Sequence, residues 1–187
     1  MRKLFLLLTS MLMALGLTAC TSKKESTMQD NKGKKVLIAY FSWSGNTEKV
    51  AKYIAEKTNA DMFRIERVTP YSKEYEPCTQ EALQEKNNNE RPAIKGKVKN
   101  FDDYDVILVG VPCWWYTAPM PVFTFLEKEG YNFEGKQVAF FCTYYTAEYE
   151  TLNDMVKTTP KAKHLKNFGT KDDHTDGVDK WLKEIGL

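Results

Sequence analysis

At 187 residues and 21.6 kDa the chain has room for one domain and a short extra segment, not for separate cofactor and substrate domains. Hydrophobic residues at 42% and charged residues at 28% describe a globular protein. A net charge of +2 argues against a basic nucleic-acid surface, and two histidines exclude a histidine-rich metal site.

Arg2 and Lys3 precede an uncharged apolar run, Leu4 to Leu17, broken by Thr9 and Ser10. A basic start, a short apolar core and small residues before a cleavage point are the marks of an export signal. The core is too short for a good membrane span. Leu17-Thr18-Ala19-Cys20 resembles a bacterial lipobox. That resemblance implies removal of residues 1–19, lipid attachment at Cys20 and a membrane anchor on the extracytoplasmic side of a bacterial envelope. Arg2 and Lys3 are the only charged side chains so removed, which leaves no net charge and no long-range steering by it. Residues 20–34 are polar, with Met28 the one large apolar side chain, and read as a tether. The folded domain is expected over residues 35–187.

Val36 to Phe41 is a continuous apolar run, the pattern of a strand buried on both faces. Asn46 to Asn59 follows with helical spacing, Val50 and Ile54 sharing a face. Asp61 to Val68 reads as a second strand, and Glu76 to Asn89 as a polar, exposed helix. Val106 to Val111 is another buried strand, and Pro119 to Glu129 a helix opened by prolines. Gln137 to Cys142 is a fourth strand, Ala147 to Thr158 a helix, and Lys163 to Phe168 a short fifth strand. Val178, Trp181, Leu182 and Ile185 define a final helix by their spacing. Strands and helices alternate, so the expectation is an α/β domain with a parallel sheet and helices on both faces.

Ser42-Trp43-Ser44-Gly45-Asn46-Thr47 joins the first strand to the first helix. Helix N-termini carry unpaired N–H groups and partial positive charge, and the added hydroxyls make a neutral cradle for phosphate. Gly45 lets the backbone approach closely. No lysine follows as in a triphosphate-binding loop, and the spacing is not that of a dinucleotide fingerprint.

The segment VLIAYFSWSGNTEKVAKYIAEKT is similar to the start of a flavodoxin, whose phosphate loop reads Thr/Ser-x-Thr/Ser-Gly-x-Thr. Ser42, Ser44, Gly45 and Thr47 meet that pattern. Asp102 to Glu127, DDYDVILVGVPCWWYTAPMPVFTFLE, resembles the third strand, loop and helix of a subgroup of bacterial flavodoxin-like proteins. The resemblance implies a doubly wound five-stranded parallel sheet in order 2-1-3-4-5 and a flavin mononucleotide (FMN) site. The FMN phosphate would lie on Ser42, Trp43, Ser44, Gly45, Asn46 and Thr47. The ring would lie at the carboxyl ends of strands one, three and four, against Pro112, Cys113, Trp114, Trp115 and Tyr116, with Thr143, Tyr144 and Tyr145 opposite. One of Trp114 and Trp115 is expected to touch the ring and the other to pack. The function so implied is electron transfer with a redox partner or a small-molecule donor or acceptor.

The chain departs from these relatives at two places. Thr143 to Tyr149 stands where they tend to have histidine and a glycine-rich stretch, and no glycine lies between Lys136 and Phe168. Tyr116 stands where they often have glycine. Two other readings therefore stay open: an FMN-dependent reductase using NAD(P)H or quinones, and a flavin-free envelope protein that keeps the fold. Cys78, Cys113 and Cys142 form no C-x-x-C motif, and free buried thiols are the expectation. Asp172-Asp173-His174-Thr175-Asp176 reads as an N-terminal cap for the last helix rather than as a metal site.

Overall fold

The structure, a computed structural model, describes residues 33–187. The export signal, Cys20 and most of the tether lie outside the described residues.

Three strands form the centre: β1 (Val36–Tyr40), β3 (Val106–Pro112) and β4 (Gln137–Tyr144). Their apolar runs feed two cores at once, because successive side chains leave opposite faces of a strand. Leu37, Ala39, Ile107, Val109, Val111, Val138, Phe140 and Cys142 pack on one face. Val36, Ile38, Tyr40, Val106, Leu108, Ala139 and Phe141 pack on the other. Helices α2 (Tyr75–Asn87), α3 (Met120–Glu127) and α4 (Thr151–Thr158) cover the first face through Cys78, Ala82, Val122, Phe125, Leu126, Leu152 and Met155. Helices α1 (Asn46–Thr58) and α5 (Val178–Glu184) cover the second through Val50, Ala51, Ile54, Val178, Trp181 and Leu182.

The sheet is parallel throughout, in order β2-β1-β3-β4-β5, with β2 (Asp61–Arg64) on one edge. This is the expected doubly wound order. The second strand is shorter than the expected Asp61–Val68. Ile65 N–H still donates to Tyr40 C=O at 2.7 Å; beyond it the chain leaves β1, and Val68 N–H donates to Ala93 C=O at 2.9 Å. The fifth strand is split into β5 (Lys163–His164) and β6 (Phe168–Lys171), both against β4. Asn167 bridges the gap, its Oδ1 accepting from Phe140 N–H at 2.9 Å, so a side chain replaces the missing ladder bond. Helix α4 begins at Thr151 rather than Ala147, since Tyr149 turns into the left-handed region at φ 46°. The last helix is entered through Gly177 at φ 85° and has no side-chain cap, so the expected Asp/Thr capping is not what is found. Asp173 instead binds Lys49 of α1 at 2.7 Å. Among the described residues no group of three or more His, Cys, Asp or Glu side chains could hold a metal ion.

Gly110 in β3 lies directly against an aromatic ring of the neighbouring strand. A Cβ there would stand 2.0 Å from the ring of Phe141, which is fully buried. Replacing Gly110 with alanine should therefore cost about 1–3 kcal/mol by overpacking, read as a lower urea midpoint.

Candidate functional site

Parallel order puts the carboxyl ends of β1, β3 and β4 side by side, and the loops that leave them form one site. The first is the Ser42–Thr47 loop. The Ser42 hydroxyl is buried and accepts the Gly45 N–H at 3.1 Å. Its carbonyl accepts from Arg64 Nη2 at 3.0 Å, which ties the loop to β2. Thr47 is buried, and its hydroxyl meets that of Thr143 at the end of β4, 2.8 Å away. Ser44 is exposed, and Asn46 opens the helix.

Helix α1 has no side-chain cap, and its first helical bond runs from Lys49 N–H to Gly45 C=O at 2.9 Å. The N–H groups before Lys49 thus face outward from the helix end. Gly45 sits at φ 99° with no atom within 4 Å of where a Cβ would stand, so the approach is open and needs glycine. Glu48 lies in the first turn, where its charge would oppose an anion. Lys52 at 2.7 Å and Arg64 at 2.7 Å pair with it, and the Lys52 bond above all holds its carboxyl below the usual range. The loop is thus left without net repulsion toward phosphate.

The second part is a cleft of about 380 Å³ beside that loop. Trp43 stands on one side, held by its indole N–H on Ser72 C=O at 2.9 Å. Cys113, Trp114, Trp115 and Tyr116 form the floor and far wall. Trp114 N–H donates to Thr117 C=O at 2.8 Å and Thr117 N–H returns to Trp114 C=O at 3.1 Å, closing a tight turn. Its two central residues, Trp115 at φ 50° and Tyr116 at φ 70°, are both left-handed. That backbone favours glycine, yet two bulky aromatic residues hold it here. Trp115 is fastened by its indole N–H to Thr79 C=O of α2 at 2.9 Å. Trp114 packs edge-on against Phe41 and Tyr71, ring centres 5.3 Å away in each case. Both tryptophans therefore line the cleft and both also pack.

Pro112 ends β3 without lining the cleft. On the β4 side Tyr145 lines it, 81% exposed, together with Thr146, Ala147 and Tyr149. Tyr144 does not. β4 runs through Tyr144, and the pleat places its ring beside Gly169 instead. Thr143 is buried on Thr47 and reaches the Ser42–Thr47 loop rather than the cleft.

One wall was missed from sequence. Helix α2 was expected to be exposed, yet Tyr75, Cys78, Thr79 and Ala82 close the cleft. The available signal was the stripe Cys78, Ala82 and Glu85, all buried. All three cysteines among the described residues are free thiols. Burial pushes Cys78 up to about 11 and raises Cys113 and Cys142 as well.

Two outcomes follow from this geometry. Gly45→Ala should cost about 1–2 kcal/mol from left-handed strain with no steric clash, measured by urea unfolding. Of the domain thiols, half-buried Cys113 should react first with iodoacetamide. Cys78 and Cys142 should label only after denaturation, as peptide mass mapping would show.

Comparison with known proteins agrees with the architecture. The family model described as flavodoxin matches residues 35–185. A search of curated proteins finds no match. Among solved structures, one assigned as a flavoprotein from Bacteroides eggerthii is 29% identical with a TM-score of 0.69, covering 82% of this chain and 98% of that one. Another so assigned, from Bacteroides uniformis, is 27% identical with a TM-score of 0.69, covering 81% and 99%. A flavoprotein from Lactobacillus acidophilus, solved in complex with FMN, is 25% identical with a TM-score of 0.66, covering 79% and 98%. With a family match that spans nearly the whole described domain, on a sheet of the same strand order, this chain belongs to the flavodoxin family.

Proposed function

We propose that this protein binds FMN noncovalently and serves as an electron-transfer protein held at the bacterial cell envelope. One observation carries the reading: an uncapped helix N-terminus, reached through Ser42, Ser44, Gly45 and Thr47, adjoins a cleft with three tryptophans in its walls. Phosphate and flat aromatic ring thus meet suitable surfaces at the spacing of one short loop. The Lactobacillus relative solved with FMN supports the choice of cofactor.

FMN, when bound, supplies the redox chemistry; the protein binds and orients it. The Ser42–Thr47 backbone and hydroxyls would hold the phosphate, with the end of α1 adding its partial charge. Trp43, Trp114, Trp115 and Tyr145 would enclose the ring and limit water. No side chain is needed as nucleophile or base. The envelope location rests on the segment Arg2 to Cys20. Its partner would be a redox protein or a small-molecule donor or acceptor.

A reductase acting on NAD(P)H or quinones is the second reading. The exposed aromatic rim favours it, with Tyr75 69%, Tyr116 58% and Tyr149 47% exposed, because an open ring face would admit a second planar molecule.

Purified protein mixed with FMN and freed of excess should keep a flavin absorption spectrum and lose most tryptophan emission. Trp115→Ala should weaken FMN binding by about 2- to 12-fold, the equivalent of ~0.5–1.5 kcal/mol of stacking. No retained flavin and no quenching at high FMN would refute both redox readings. Hydride transfer from NAD(P)H by the loaded protein would select the reductase.

A further inference from the structure

Behind the cleft lies a buried network that holding a flavin does not require. Trp114 lines the cleft and meets the ring of Tyr71 edge-on, centres 5.3 Å apart. Tyr71 is 8% exposed, and its hydroxyl donates to the Glu85 carboxylate of α2, itself 5% exposed. Arg67 binds Glu85 Oε1 at 3.0 Å and Glu81 Oε2 at 3.0 Å, and its guanidinium lies 4.2 Å over the Tyr71 ring.

A phenol gives up an electron readily only when its proton leaves at the same time. Near the cleft, Tyr71 has what that requires. Tyr75, Tyr116, Tyr145 and Tyr149, the tyrosines that line the cleft, have no carboxylate bonded to their hydroxyls among the described residues. Burial, and then the bond to Glu85, raise the Tyr71 hydroxyl well above its ordinary range, so the proton does not leave alone near neutrality. Arg67 is shared with Glu81, so its charge stays paired after Glu85 takes up a proton.

We propose that Trp114, Tyr71 and Glu85 form a one-electron relay out of the cleft, with Tyr71 as a proton-coupled redox centre. An oxidant in the cleft takes one electron from the Trp114 indole. Trp114 recovers it from Tyr71, and the phenolic proton passes along the existing hydrogen bond to the Glu85 carboxylate. The net change is one electron gained by the oxidant, a neutral tyrosyl at Tyr71 and a protonated Glu85. The oxidant is photo-excited flavin or a dissolved one-electron acceptor of the ruthenium polypyridyl class. The native use of the relay rests on the FMN reading; the relay itself does not.

The test is flash photolysis with transient absorption, in two arms. One uses FMN-loaded protein, the other flavin-free protein with a photo-oxidised ruthenium polypyridyl. The expected result is a tryptophan radical that gives way to a long-lived neutral tyrosyl, more slowly in D2O than in H2O. Tyr71→Phe keeps the ring packing and should abolish the long-lived tyrosyl while the tryptophan radical persists. Trp114→Phe leaves the Tyr71–Glu85 bond intact and should lower the tyrosyl yield. An unchanged long-lived tyrosyl in Tyr71→Phe, or equal rates in H2O and D2O, would overturn the relay. Loss of signal only in the first arm, with no flavin retained, would refute the FMN reading and leave the relay standing.

Discussion

Everything in this domain depends on the burial of both faces of β1, β3 and β4. Alternate residues of each strand enter different cores, so a one-residue slip would send the apolar set of each to the wrong face. That requirement fixes the register, with Val36 opposite Val106 and Val106 opposite Gln137. The register then fixes where each strand ends. Phe41, Pro112 and Tyr144 come to the same edge, and the loops that follow them meet there. The site is a product of strand pairing before it is a product of any side chain in it.

The central strands were legible because they are unbroken apolar runs bounded by polar residues. The Ser42–Thr47 loop was legible as a candidate phosphate site because its hydroxyls and glycine stand at a helix start in the flavodoxin spacing. Where the sequence misled, a competing force decided. Glu66 to Val68 looked like the continuation of the second strand, but beyond Ile65 the chain turns to bond with residues 93–95. The polar surface of α2 hid a narrow buried stripe, because Glu85 counts as polar and yet is buried on Arg67 and Tyr71. Tyr144 and Tyr145 looked equivalent, and only the length of β4 separates them: the first belongs to the pleat, the second to the loop.

The aromatic wall carries its own cost. Two consecutive bulky residues, Trp115 and Tyr116, hold left-handed backbone in a tight turn. Such strain, of order 1–3 kcal/mol per residue, persists only where surroundings enforce it. Here the indole of Trp115 is bonded to α2, Tyr116 packs edge-on against Tyr149 at 4.8 Å, and Lys86 lies 5.8 Å over the Tyr116 ring. The turn is thus braced from both sides.

The described chain enters at the amino-terminal ends of the strands, opposite the cleft. Lys35 N–H donates to Asp105 at 2.8 Å just before β1 begins. Gly186, past the end of α5, comes near Lys34 at the same pole, since a Cβ on it would lie 3.8 Å from Lys34 Nζ. Both ends of the domain therefore share one pole and the cleft occupies the other. A short, stiff linkage close to Lys34 or Gly186, to a bead or an electrode, turns the mouth of the cleft toward the surrounding solution. A partner arriving by free diffusion then meets the open side first, whereas one confined to the supporting surface must reach around the domain.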